Sequence, residues 1–132
     1  MSNTGIITKI SQHSFAETYE KLRNTISNNP NLKIILELDH QANANSVDLT
    51  LPATRIIMFG NPKLGTPLMN SGKFTGLDLP QKILVTERDG EVSVSYNDPQ
   101  YLKERHQIEG QEGVLQKVAM ALDKITSAAT NA

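Results

Sequence analysis

The sequence contains no cysteine. That absence removes disulfides, thiolate-bound metals, iron–sulfur ligation and a cysteine nucleophile together. Aromatic residues are scarce, at 5%, and tryptophan is missing. No apolar run approaches the roughly 18 residues that a bilayer crossing requires. The start of the chain lacks the basic segment and apolar stretch of a secretory signal, so the expected compartment is the cytoplasm. A surplus of charge is absent as well: 13 Lys and Arg face 14 Asp and Glu, a formal net charge of -1. Holding a nucleic-acid backbone takes a positive surplus that displaces counterions, and no run of Lys or Arg stands out. Neither a nucleic acid nor a membrane is therefore expected as a partner.

What is present suits one domain spanning residues 1–132, with an ordered core from about residue 5 to about 126. The 38% of hydrophobic residues suffices for a single core. Ile6 to Ile10 reads as a first strand. Ser14 and Glu17 form an S-x-x-E capping pattern before Phe15, Tyr19, Leu22 and Ile26, which recur at helical spacing. Asn29-Pro30 stops that helix, since the residue before a proline is pushed out of the helical region. Leu32, Ile34, Leu36 and Leu38 alternate with Lys33, Ile35, Glu37 and Asp39, which predicts a strand with one buried face. A short helical turn follows at His40 to Asn45, then a strand from Thr54 to Phe59. Residues 61–80 are rich in proline and glycine and read as irregular, with one helical turn around Leu68-Met69. Lys82 to Thr86 and Glu91 to Tyr96 are joined by Asp89-Gly90, a hairpin turn by its chemistry. Asp98-Pro99 opens a short helix. Val114, Leu115, Val118, Leu122 and Ile125 form the face of a last helix that frays from Ser127. The fold class expected is α+β, a two-layer sandwich of β-α-β(4)-α order, with a mostly antiparallel sheet and the helices on one face. The other sheet face is left open, which motivates a homodimer.

Several polar motifs fall at strand ends. Gly60-Asn61-Pro62-Lys63-Leu64-Gly65-Thr66 has two glycines at phosphate-loop spacing, but Thr66 stands where the lysine belongs. Pro62 also removes an amide from any such cradle, leaving a weaker anion or small-ligand site at the amides near Gly65 and Thr66. Asp39 beside His40, with Asn43 one turn later, suits an oriented imidazole, a metal-binding pair or, more simply, a capped turn. His106 after Arg105 suits the negative end of a helix dipole, and His13 is expected to be solvent-exposed. Three scattered histidines without H-x-x-x-H or H-x-H spacing are a weak metal signal, so no metal site is expected, and the sequence names no cofactor either way. Tyr96 and Asp98 end the last strand. An antiparallel meander of the last three strands brings Asn61, Gly65 and Thr66 near Tyr96; Asp39-His40 joins them only if the second strand runs parallel to the third.

These residues also carry a resemblance. Asp39-His40-x-x-Asn43-Ala44, Leu51-Pro52-x-Thr54, Phe59-Gly60-Asn61-Pro62-x-x-Gly65-Thr66-Pro67-Leu68-Met69, Gly76-Leu77-Asp78-Leu79-Pro80 and Tyr96-Asn97-Asp98-Pro99-x-Tyr101-Leu102 with Arg105-His106 occur in one order. Together they resemble the bacterial and archaeal domain-of-unknown-function family numbered 302, over nearly the whole chain. The resemblance implies a two-layer domain similar to the TATA-binding-protein arrangement, often dimeric, with no assigned activity and no implied DNA binding. It marks Asp39, His40, Asn43, Thr54, Asn61, Thr66, Tyr96 and His106 as candidates for a shared pocket.

Three functions compete. The first is a homodimeric binding or sensing module for a small polar or anionic ligand at Asp39, His40, Asn43, Thr54, Asn61, Gly65, Thr66, Tyr96 and His106. The second is an enzyme with His40 or His106 as general acid or base, in which Asp39 orients an imidazole and Asn61 or Thr66 holds a substrate oxygen. The third is a protein-interaction module without a small-molecule site. The first leads, because enzymes usually leave a more legible constellation.

Overall fold

Period-2 apolar patterning makes five strands, and in the computed structural model, which describes residues 4–132, they join one sheet. The strands are β1 (Ile6–Ile10), β2 (Lys33–Asp39), β3 (Thr54–Gly60), β4 (Gln81–Arg88) and β5 (Glu91–Asn97). Their spatial order is β1-β5-β4-β3-β2, and every pairing is antiparallel. Asp89 and Gly90 both take positive φ, the conformation a tight hairpin turn demands. Five helices interleave: α1 (Phe15–Ser27), α2 (His40–Asn45), α3 (Pro62–Ser71), α4 (Pro99–His106) and α5 (Glu112–Thr130). A 3-10 turn covers Lys73–Leu77.

Cross-strand register sets Ile57 beside Ile83, Ile83 beside Tyr96 and Tyr96 beside Ile7, so these four share one sheet face. Leu22 and Ile26 of α1 and Leu122 and Ile125 of α5 bury themselves on that face. Each such side chain contributes about 1.5–3 kcal/mol by leaving water. The expected α+β two-layer arrangement is thus the observed one, with α2, α3 and α4 inserted between the principal elements. A second, smaller cluster of Leu68, Ile108 and Leu115 joins α3 to α5 and the turn before it.

Four local expectations differ from the structure. The alternation in β2 breaks where the register shifts between Ile34 and Leu36. Ile34 pairs with Phe59 on the helix side, while Leu36 and Leu38 pair with Met58 and Ile56 on the open side. Glu37 consequently faces the helices, where Tyr19 Oη donates to it at 2.7 Å and Arg23 Nε lies 3.1 Å from both carboxylate oxygens. The segment expected to be irregular is mostly α3 and the 3-10 turn, because Asn61 accepts the Lys63 amide at 3.1 Å as an N-cap and Pro62 fits the first helical position. Finally, α5 runs past Ser127 to Thr130, since Ala129 and Thr130 are buried and the Gln12 amide donates to the Thr130 carbonyl at 2.9 Å. His13, expected in solvent, donates from Nε2 to the Asn131 carbonyl at 2.6 Å and helps hold that end.

Candidate functional site

Antiparallel pairing of β2 with β3 decides which polar residues can meet. Lys33 lies opposite Gly60, whereas Asp39 lies opposite Arg55 at the other end of the sheet. The condition for a single pocket, a parallel second strand, is not met, and the nine candidates divide between two rims.

At one rim the local chemistry is that of caps and turns. Asp39 caps α2, accepting the Ala42 amide at 3.0 Å, and pairs with Arg55 Nη2 at 3.1 Å. The Ala42 amide, helped by the Arg55 charge, holds its carboxyl below the usual range. His40 opens α2 and is half-buried. Asn43 is exposed, and its carbonyl accepts the Ser46 hydroxyl at 2.7 Å. The Thr54 hydroxyl donates to the Pro52 carbonyl at 2.9 Å.

At the other rim Asn61, Gly65 and Thr66 do come together, but not as an anion cradle. The amides of Leu64 and Gly65 both donate to the Asn61 carbonyl at 2.9 Å, closing the first turn of α3. Tyr96 turns inward, 5% exposed, and burial pushes its phenol above the usual range while the Thr126 hydroxyl opposes the rise. The His106 imidazole is buried, and its Nε2 lies 2.5 Å from Asp78 Oδ2, the same oxygen that accepts Arg105 Nη1 at 2.9 Å. Asp78 directly precedes Leu79, so this cluster braces one wall of the rim without entering it.

The rim encloses a cleft of about 580 Å³ along the seam between the two core clusters. Phe59 of β3, Leu64, Leu68 and Met69 of α3, Leu79-Pro80, and Val118, Ala121 and Leu122 of α5 supply its apolar walls. Pro30 to Lys33, Ile35, Gly60 to Pro62, Gly65, Thr66 and Gln81 complete the lining. The lining holds one charged residue, Lys33, and no carboxylate. Neither His40 nor His106 lines it, and Asp39, Asn43, Thr54 and Tyr96 are absent from it too. Sequence reasoning missed Lys33, Gln81 and the apolar walls. The available signal was Leu64 and Leu68, one helical turn apart behind an Asn-Pro helix start. Among the described residues no group of three or more His, Asp and Glu is placed to hold a metal ion.

An all-antiparallel sheet with α1 and α5 on one face, and an apolar cleft at one rim, defines a two-layer α+β domain with a concave side. The chain belongs to the family described as Domain of unknown function DUF302, whose model matches residues 7–129. A crystal structure of an uncharacterized conserved DUF302 protein from Bacillus stearothermophilus superposes with a TM-score of 0.83. It covers 96% of this chain and 98% of that one at 15% identity, a likeness of fold alone. Curated relatives from Brucella suis and Brucella abortus, each named "Fluoride-specific ion channel FluC 1", are 38% identical over 107 residues. Those matches cover 80% of this chain but 42% and 39% of the relatives, so the chain spans about two fifths of their length. No helix among the described residues here is long and apolar enough to cross a membrane.

Proposed function

We propose that this domain is a binding module, a homodimer in the cytoplasm, whose site is the apolar rim cleft and whose ligand is a small molecule with a largely apolar body. The observation that carries this reading is the cleft itself. Its volume of about 580 Å³ falls within the range of small-molecule sites, roughly 300–1,000 Å³. Its walls keep Leu, Phe and Val side chains facing a space that close packing would otherwise fill. The ligand is therefore apolar in bulk, unlike the small polar molecule that the strand-end motifs suggested. The enzyme reading gains no support from the site, because both candidate imidazoles lie outside the cleft. The Brucella relatives favour an accessory role: there a similar stretch forms the smaller part of a longer polypeptide named as a fluoride channel.

The test is a neutral solvatochromic dye, Nile red, titrated with the wild-type chain and with Gly65→Leu. A β-carbon at Gly65 meets only Leu79 Cδ1 at 3.6 Å and Met69 Cε at 3.9 Å, which are ordinary contacts. The remainder of a leucine side chain occupies cleft space. The expected result is strong dye emission in the wild type, lost in the variant at unchanged circular dichroism and melting temperature. Equal emission from both, or none from the wild type, overturns the proposal.

A further inference from the structure

Resting on that reading, we infer that the cleft takes a single-chain anionic amphiphile, such as a medium-length acyl carboxylate, with its chain along the apolar walls and its head at Lys33. The charge of the lining points to this class. Lys33 is its one charged residue, and it is exposed, so it lies on the solvent side. Among the described residues Lys33 makes no ion pair, so no carboxylate competes with a ligand for it. No carboxylate in the lining repels an anion. A small inorganic anion has no built site here, because the first amides of α3 are taken: Lys63 by the Asn61 side chain, Leu64 and Gly65 by the Asn61 carbonyl. A cation at the mouth of an otherwise apolar concavity suits a ligand with one charged end. The neutral amides of Asn61 and Gln81 on the same lining offer further donors to that head.

Calorimetric titration with hexanoate, octanoate, decanoate and the neutral octanol tests the inference in the wild type, Lys33→Met and Gly65→Leu. Affinity is expected to rise about fourfold per added methylene, the yield of burying each in an apolar groove. Octanoate is expected to outbind octanol in the wild type. Lys33→Met should weaken octanoate by roughly twofold to fivefold, as for an exposed ion pair, and leave octanol unchanged. Gly65→Leu should abolish both. Octanol binding as tightly as octanoate, or octanoate indifferent to Lys33→Met, overturns the anionic class and leaves the cleft reading standing. If neither compound binds while Nile red still does, the amphiphile class falls and the cleft reading stands; if Nile red fails to bind too, both fall. Cosedimentation with phosphatidylglycerol vesicles, without binding of monomeric octanoate, overturns the inference in favour of a bilayer surface.

Discussion

Tyr19 and Tyr96 are phenols buried on the helix-covered side of the sheet, 7% and 5% exposed. Burial raises the pKa of both, because it disfavours the charged phenolate. At Tyr19 the hydrogen bond to Glu37 and that carboxylate's charge add to the rise, with Arg55 and Arg23 opposing. In the unfolded chain a tyrosine ionises near pH 10. Below that pH both states are protonated and the native contacts contribute in full. Above it the unfolded chain loses the proton first, so stability falls as pH rises toward the raised native values. Denaturant midpoints at neutral pH, pH 10 and pH 11 should therefore decline, and Tyr19→Phe should decline less steeply. That variant should also lose about 1 kcal/mol at neutral pH with its hydrogen bond. Parallel alkaline slopes in the two proteins would remove Tyr19 from the account. Neither this network nor the one at His106 was legible in the sequence. Tyr19 reads as an apolar-face residue and His106 as a dipole cation, because their partners Glu37 and Asp78 lie 18 and 28 residues away. Asp39 and Asp98 were legible, since a cap bonds amides two or three residues on.

Helix α3 forms one wall of the cleft, so its order and the site's order are the same question. Its start depends on Asn61, and Pro67 within it removes one intrahelical donor. With Gly65 also present, intrinsic propensity contributes little, and burial of Leu68 must hold the helix in place. Asn61→Ala should cost about 1 kcal/mol, the usual worth of an N-cap. Hydrogen exchange should show where the loss falls: amides of α3 exchange faster, while those of β3 and β4 keep their protection. Uniform acceleration across the sheet would show that α3 is not a separately opening unit. The helix escaped sequence reading because two prolines and two glycines in residues 60–67 read as a loop. Yet Asn61-Pro62 is the same cap-plus-proline start as Asp98-Pro99, which was recognised. The bulge in β2 escaped for a different reason. Ile34, Ile35 and Leu36 are consecutive apolar residues, so period alone does not tell which of them leaves the ladder.

Across the whole molecule, element order, sheet class and the helix-covered face followed from periodicity and turn chemistry. The direction of β2 did not, because the connection of residues 40–53 is long enough for either a crossover or a return. That one direction separates Asp39 and His40 from Asn61. The same topology leaves the second sheet face without a helix, and its chemistry fits another copy of the chain. Thr8, Ser95, Leu84, Ile56 and Leu38 form one continuous cross-strand row there. Leu36 and Met58 flank it on one side, and Ile6 and Ile10 stand at the β1 edge, 57% and 54% exposed. Its hydroxyls already satisfy one another: Thr8 meets Ser95 at 2.9 Å, and Thr86 meets Ser93 at 3.0 Å. Covering those pairs thus strands no polar group, the condition for burying a mixed face at low cost. Sedimentation at tens of micromolar should accordingly give a dimer, and Ile56→Lys, in the apolar half of the row, should give a monomer that keeps its circular dichroism. The cleft lies at a rim, so the monomeric variant should still bind Nile red. A wild-type monomer at that concentration, or an Ile56→Lys dimer, removes the open face as the meeting surface.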